Sequence, residues 1–230
     1  MTCVILQPSY IPWRGVFHQM QKADVFIFYD DVQYDVDGWR NRNRIKTQQG
    51  PQWLTIPVNT RNHCQEATAI RDVEMSTQRP WRHKHAQSLR QSYAKAPFFR
   101  RYESLVERWY SGDARLLADV TIPQSIEIAR ELGITKTRFV RSSELAASGS
   151  KTERLAALLR SVDADHYISG PAARAYLDEP LLAAHGITLE YMSYDYPEYP
   201  QLHGGYDPHV SILDLLFMTG PDAGRYIWQS

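Results

Sequence analysis

Val25-Phe26-Ile27-Phe28-Tyr29, followed at once by Asp30-Asp31, is the stretch on which the fold turns. Five apolar or aromatic residues without alternation predict a strand covered on both faces, as central strands of parallel sheets are. Upstream, Val4-Ile5-Leu6 is a second apolar run, stopped by Gln7-Pro8, and a helix is expected between the two over residues 13–22. Strand, short helix and strand in such close succession make a compact βαβ unit.

Downstream, Trp53 to Val58 reads as a strand whose Pro57 places it at an edge or an end. Residues 81–110 carry a helical pattern broken by Pro97, and Thr121 to Leu132 form a helix closed by Gly133. Arg138 to Arg141 is a short strand. Ser150 and Glu153 have the spacing of a capping box ahead of Leu155, Leu158, Leu159 and Val162. His166-Tyr167-Ile168 is a strand, and Ser169-Gly170-Pro171 opens the next helix, with proline near its first turn. Gly186 ends that helix, and Ile187 to Tyr191 is a final strand. The expectation is one α/β domain over residues 1–230, with a mostly parallel sheet, flanking helices and a helical insertion at about 81–133.

The 230 residues are 43% hydrophobic, enough to bury a substantial core. No apolar run approaches the eighteen residues or so of a membrane span. The opening Met1-Thr2-Cys3-Val4 lacks a basic, long-apolar leader and reads as a first strand. Cys3 and Cys64 make no disulfide framework, so a cytoplasmic location is expected. Net charge is zero, yet residues 1–101 hold 15 Lys/Arg against 8 Asp/Glu, and the remainder holds 11 against 18. The N-terminal half is therefore the better surface for an anion, unless the two halves neutralise each other by packing.

In parallel sheets ligands bind beyond the carboxyl ends of the strands. Gln7 to Gly15, Tyr29 to Tyr34 and Ser169 to Arg174 occupy that place and should converge in space. Gln7, Tyr10 and Trp13 offer an amide, a phenol and an indole to a ring-shaped ligand, although Trp13 is equally suited to the core. Asp30 and Asp31 can act as a general base or hold a sugar hydroxyl; the alternative is a turn-forming pair. Gln33 and Tyr34 extend from the same loop. Ser169 and Gly170 put small residues where backbone amides can meet an anion.

Trp39-Arg40-Asn41-Arg42-Asn43-Arg44-Ile45-Lys46 has a period of two. In an extended chain Arg40, Arg42, Arg44 and Lys46 share one face. Guanidinium forks grip phosphate oxygens, and Asn43 adds hydrogen-bonding capacity; the competing reading is a charged, solvated edge strand. His83 and His85, two apart on a helix, point in different directions and make a poor metal pair. His203 and His209 flank Gly204-Gly205 in a loop. No paired Cys/His zinc spacing, P-loop or nucleophile elbow is present, and no metal site is assigned.

An ordered set of segments carries a resemblance across the chain. It comprises Gln7-Pro8-Ser9-Tyr10-Ile11-Pro12-Trp13, Tyr29-Asp30-Asp31-Val32-Gln33-Tyr34, Trp39 to Ile45, Trp53 to Val58, and Tyr93 to Phe99. Tyr167-Ile168-Ser169-Gly170, Tyr199-Pro200-Gln201 and Ser211 to Phe217 complete it. In these residues the chain resembles the WbqC-like family. That resemblance implies a small bacterial protein tied to O-antigen and related glycan biosynthesis, and a transferase of glycyl or similar groups to an amino sugar. The layout also resembles nucleotide-binding α/β enzymes of the HUP and nucleotidyltransferase type. Their His-x-Gly-His signature is absent, with Trp13-Arg14-Gly15-Val16 in the comparable place.

The expected activity is acyl or aminoacyl transfer to an amine, such as an amino sugar carried on a nucleotide. Joining a free carboxylate to an amine is uphill in water, so an activated donor is required: an adenylate, a thioester or an aminoacyl-tRNA. Asp30 or Asp31 would take the proton, and Arg42 or Arg44 would hold phosphate. Competing readings are a nucleotidyltransferase or ATP-dependent ligase, marked by pyrophosphate release, and a non-catalytic nucleotide- or RNA-binding module.

Overall fold

A computed structural model describes residues 1–59 and 68–228. Cys64 lies outside the described residues; Cys3 is buried. Strand β1 (Thr2–Leu6), helix α1 (Arg14–Lys22) and strand β2 (Val25–Phe28) form the expected βαβ unit. A hairpin of β3 (Arg42–Thr47) and β4 (Gly50–Thr55) follows, then α2 (Trp81–Tyr93), α3 (Phe99–Ser111) and α4 (Ala118–Glu131). The chain returns through β5 (Arg138–Arg141), α5 (Lys151–Ser161), β6 (His166–Ser169), α6 (Glu179–Ala184), β7 (Thr188–Tyr191) and α7 (Ile212–Thr219).

Five strands pair in the order β5-β2-β1-β6-β7, all parallel. In the chain order of those five strands this is 3-2-1-4-5, the doubly wound order whose direction reverses between β1 and β6. The fold is α/β, as expected. All four residues of β2 are buried, because its side chains are divided between two layers. Val25 and Ile27, with Cys3 and Ile5, pack on Leu155, Leu158 and Leu159 of α5. Phe26 and Phe28, with Val4, pack on Val16, Phe17 and Met20 of α1, in a cluster that runs on into the helical insertion.

Local departures from the expectations have physical reasons. Pro57 lies just past the end of β4, where a missing N–H costs no ladder bond. Ser150 is the N-cap residue of α5, but its side chain makes no cap hydrogen bond, so the capping-box spacing is not used as one. Ser169-Gly170-Pro171 does not open an α-helix. Pro171–Ala175 is a five-residue 3-10 turn, and α6 begins later, capped by Asp178 accepting from Leu181 N–H at 3.0 Å. At Gly220, φ is +55°, and a Cβ there would stand 2.4 Å from the Phe98 ring, so only glycine fits this end of α7.

The C-terminal segment crosses back over α1 and the hairpin. The Arg14 guanidinium donates to the carbonyls of Pro197 and Tyr226 at 2.9 and 3.0 Å and lies 4.6 Å from the Tyr196 ring centre. Ser211 N–H donates to Arg44 O at 2.8 Å, docking the start of α7 on β3.

Candidate functional site at the carboxyl edge of the sheet

Three of the expected segments meet at the carboxyl edge beside the switch point. Cys3, Ile5, Val25, Ile27 and Tyr167 share the α5 face. Period two carries Gln7, Tyr29 and Ser169 onto that face, one strand step further along. Register agrees: Leu6 pairs with Phe28, Tyr29 N–H donates to Leu6 O at 2.9 Å, and Val4 pairs with Ile168. Asp31 belongs to the same side, because its Oδ2 accepts from Arg154 of α5, whose guanidinium sits 5.9 Å from the Tyr29 ring centre. Gln7, Tyr29, Asp31, Arg154 and Ser169 thus lie along the carboxyl edge of β1, β2 and β6, the edge at which doubly wound sheets open a crevice, with Gly170 next in the chain.

The two adjacent aspartates have different environments. Asp30 is 0% exposed and accepts from Arg141 Nε at 2.8 Å, Ser143 N–H at 3.1 Å, Ser143 Oγ at 3.0 Å and Ser142 Oγ at 3.2 Å. It ties the end of β2 to the end of β5 and offers nothing to a ligand. Asp31 keeps a side-chain exposure of 14%, with Ser142 Oγ donating to its Oδ1 at 2.6 Å. A partly exposed carboxylate, held by Ser142 at one oxygen and Arg154 at the other, still has a lone pair with which to accept a proton without moving.

The basic strip is extended, as its period predicts, but its four cations separate. Arg40 precedes β3 and turns inward; its Nη1 donates to Gln7 O at 3.0 Å, Pro8 O at 3.3 Å and Ser9 Oγ at 2.9 Å, fixing the loop after β1. Arg42 and Arg44 lie against the Trp53 ring at 5.2 and 5.7 Å. Lys46 is 6% exposed and donates from Nζ to Gln201 Oε1 at 3.1 Å and to Gly205 O. Asn43 is 3% exposed and caps the carbonyls of Tyr10 and Ile11 at 3.2 and 2.8 Å. It holds Ile11 at a φ of +36°, a conformation that a β-branched residue rarely adopts.

Tyr10 and Trp13 do not reach the crevice. The Tyr10 hydroxyl is buried against His85 Nδ1 at 2.9 Å and against the Tyr110 hydroxyl. Burial, then the neighbouring Tyr110, pushes its pKa well above the usual phenol range. Trp13 packs edge-on against Tyr194 at 4.9 Å. Gln33 is exposed and bridges to Ala69, while Tyr34 is buried, and that burial raises its phenol to about 12.

A second polar cluster escapes sequence reasoning. Asp214, 0% exposed, accepts from the Tyr93 hydroxyl at 2.8 Å, and the same hydroxyl accepts from Lys46 N–H at 2.9 Å. Tyr199 and Gln201 stand beside it, and burial raises the Asp214 pKa. The available signal was an acid inside the apolar run Ile212-Leu213-Asp214-Leu215-Leu216-Phe217. Arg154, Ser142 and Ser143 carried no such signal. Among the described residues no group of three or more His, Cys, Asp or Glu side chains is placed to hold a metal ion.

The WbqC-like protein family model matches residues 7–226. The chain is also 39% identical over 225 residues to a protein of Mycobacterium tuberculosis (strain ATCC 25618 / H37Rv) named "Uncharacterized protein Rv1507c". That alignment covers 97% of this chain and 96% of the relative. No solved structure matches.

Proposed function

This chain belongs to the WbqC-like protein family, and from that membership and the crevice geometry we propose that it is a transferase moving an acyl or aminoacyl group to an amine. The acceptor is an amino sugar, free or carried on a nucleotide, used in glycan or secondary-metabolite synthesis in the cytoplasm. Among the described residues no helix is long and apolar enough to cross a membrane. The observation that supports this reading best is the partly open Asp31 carboxylate, braced by Arg154 and Ser142 at the carboxyl ends of β2 and β5, one strand away from the switch point. Ligands of doubly wound sheets bind beyond the carboxyl ends of the strands, the edge on which Asp31 lies.

In the proposed reaction the amine nitrogen forms a bond to the donor carbonyl carbon and passes a proton to Asp31. The bond from that carbon to the leaving oxygen or sulfur then breaks, and the proton leaves with that group. Gln7 and Ser169 are the polar groups for the acceptor's hydroxyls. Asp30 holds the Asp31 loop in place through Arg141, Ser142 and Ser143. The test is incubation with amino sugars and activated acyl donors, read by product mass. A gain of one acyl residue on the amine supports the proposal. Pyrophosphate release from ATP without a second donor would replace it with the ligase reading.

A further inference from the structure

Two stretches of the chain carry no acidic residue. Residues 38–59 contain four Lys/Arg, and residues 75–102 contain seven Lys/Arg with two His; neither stretch holds an Asp or Glu. The fold brings them together. Trp53 of β4 and Arg79, Lys84, Gln87 and Gln91 in and just before α2 line one groove of about 520 Å³. At its rim Trp39 and Trp53 are each 45% exposed, with ring centres 5.2 Å apart. Arg42 and Arg44 flank the Trp53 ring.

The charge is only partly neutralised. Arg90 is paired with Glu103 and Glu107 at 3.0 and 2.7 Å. Among the described residues Arg42, Arg44, Arg79 and Lys84 have no carboxylate within ion-pair distance. Exposed indole rings beside guanidinium groups that, among the described residues, bond only backbone carbonyls and no carboxylate suit bases that stack and phosphates that follow the groove. An anionic membrane would want several protruding apolar side chains. Here Val36 is the only other exposed large hydrophobic residue in residues 30–59.

We infer that the Trp39/Trp53 platform and the groove along α2 bind the single-stranded end of a structured RNA. Resting on the transferase reading above, this makes an RNA-borne acyl group the donor. Stacking places a terminal base on Trp53, while Arg42, Arg44, Arg79 and Lys84 hold the adjoining phosphates.

The test is fluorescence anisotropy with a labelled hairpin RNA ending in a short 3′ single-stranded tail. Its comparison probes are the same hairpin made blunt and vesicles of phosphatidylglycerol. The tailed RNA should bind more tightly than the blunt one, with a log–log salt slope of about −3 from four phosphate contacts. Trp53→Ala should weaken binding roughly tenfold. The Arg79→Glu, Lys84→Glu double variant should weaken it further and flatten the slope. Lys136→Ala, exposed just before the amino end of β5 and outside the groove, should leave binding unchanged. Equal binding of tailed and blunt RNA, insensitivity to Trp53→Ala in a protein whose circular dichroism is native, or binding of vesicles alone would each overturn the inference. Loss of RNA binding with transfer from a small thioester intact would remove the RNA donor and leave the transferase reading. RNA binding without transfer from any donor would do the reverse.

Discussion

Arg141 donates from Nε to Oδ2 of Asp30 at 2.8 Å, joining the carboxyl ends of β5 and β2 through a carboxylate that is 0% exposed. Removing the Asp30 carboxylate leaves Ser143 N–H and Oγ without their buried acceptor, while the partly exposed Arg141 keeps Asp119 and Ser142 keeps Asp31. Asp30→Ala should therefore lose roughly 1–3 kcal/mol of stability, read from urea unfolding midpoints. A variant within about 0.5 kcal/mol of wild type would show that the pair does not hold the sheet edge.

Asp31 should behave differently from its neighbour. Asp31→Asn keeps the shape and the contact to Ser142 Oγ but cannot take a proton. Turnover at saturating substrate should fall about 10²–10⁴-fold, a loss much larger than the modest drop in unfolding midpoint expected from weakening the Arg154 pair. Arg42→Ala should mainly raise the apparent KM, with an effect that shrinks at high salt. Full turnover by Asp31→Asn would remove the proposed base.

His85 provides a pH prediction. Burial depresses its pKa to about 4, so the folded state keeps the ring neutral while the unfolded chain protonates near 6.5. Between those values the unfolded chain binds more protons, and stability is lost as pH falls from about 6.5 to about 4. The loss from this group is at most about 3 kcal/mol. His85→Gln should flatten that part of the stability profile, and the His85 ring signals in proton NMR should titrate well below pH 6. Titration near 6.5 would show that the ring is solvated.

Asp214 has the opposite sign. Burial raises its folded pKa above the ordinary carboxylate value of 3.8, so the folded state holds the proton longer than the unfolded chain does. Stability from this group is therefore present at low pH and declines as pH rises from about 4 through the raised value. Asp214→Asn keeps an acceptor for the Tyr93 hydroxyl and should be at least as stable as wild type at pH 7, without that decline. Unfolding by urea at several pH values checks it; a variant that is weaker than wild type only above pH 6 would contradict the sign.

Strand identity was legible because burial on both faces leaves no room for alternation, and Val25 to Phe28 shows none. The helical break at Pro97 and the helix stop at Gly133 were equally local, set by a missing donor and by a left-handed φ of +80°. The extended character of Arg40 to Lys46 followed from its period. That the strands leading to Gln7, Asp31 and Ser169 are neighbours followed once they were taken as parallel, whereas Tyr10, expected beside them, turns into the core.

The destinations of side chains were not local. Arg42, Arg44 and Lys46 have the same parity, yet two lie on an indole near the surface and the third is buried beneath the 201–205 segment, because the C-terminal chain folds back over only one end of β3. Asp30 and Asp31 are chemically identical neighbours. Only the arrival of β5 and its Ser142-Ser143 turn encloses one of them and leaves the other partly open. The sequence by itself determined most of the elements and their order, α7 and the 3-10 turn at Pro171 excepted, since those depend on periodicity and backbone preference within about ten residues. The tertiary structure decided which polar groups are buried, paired or available, because desolvation and hydrogen bonding depend on atoms brought from more than a hundred residues away.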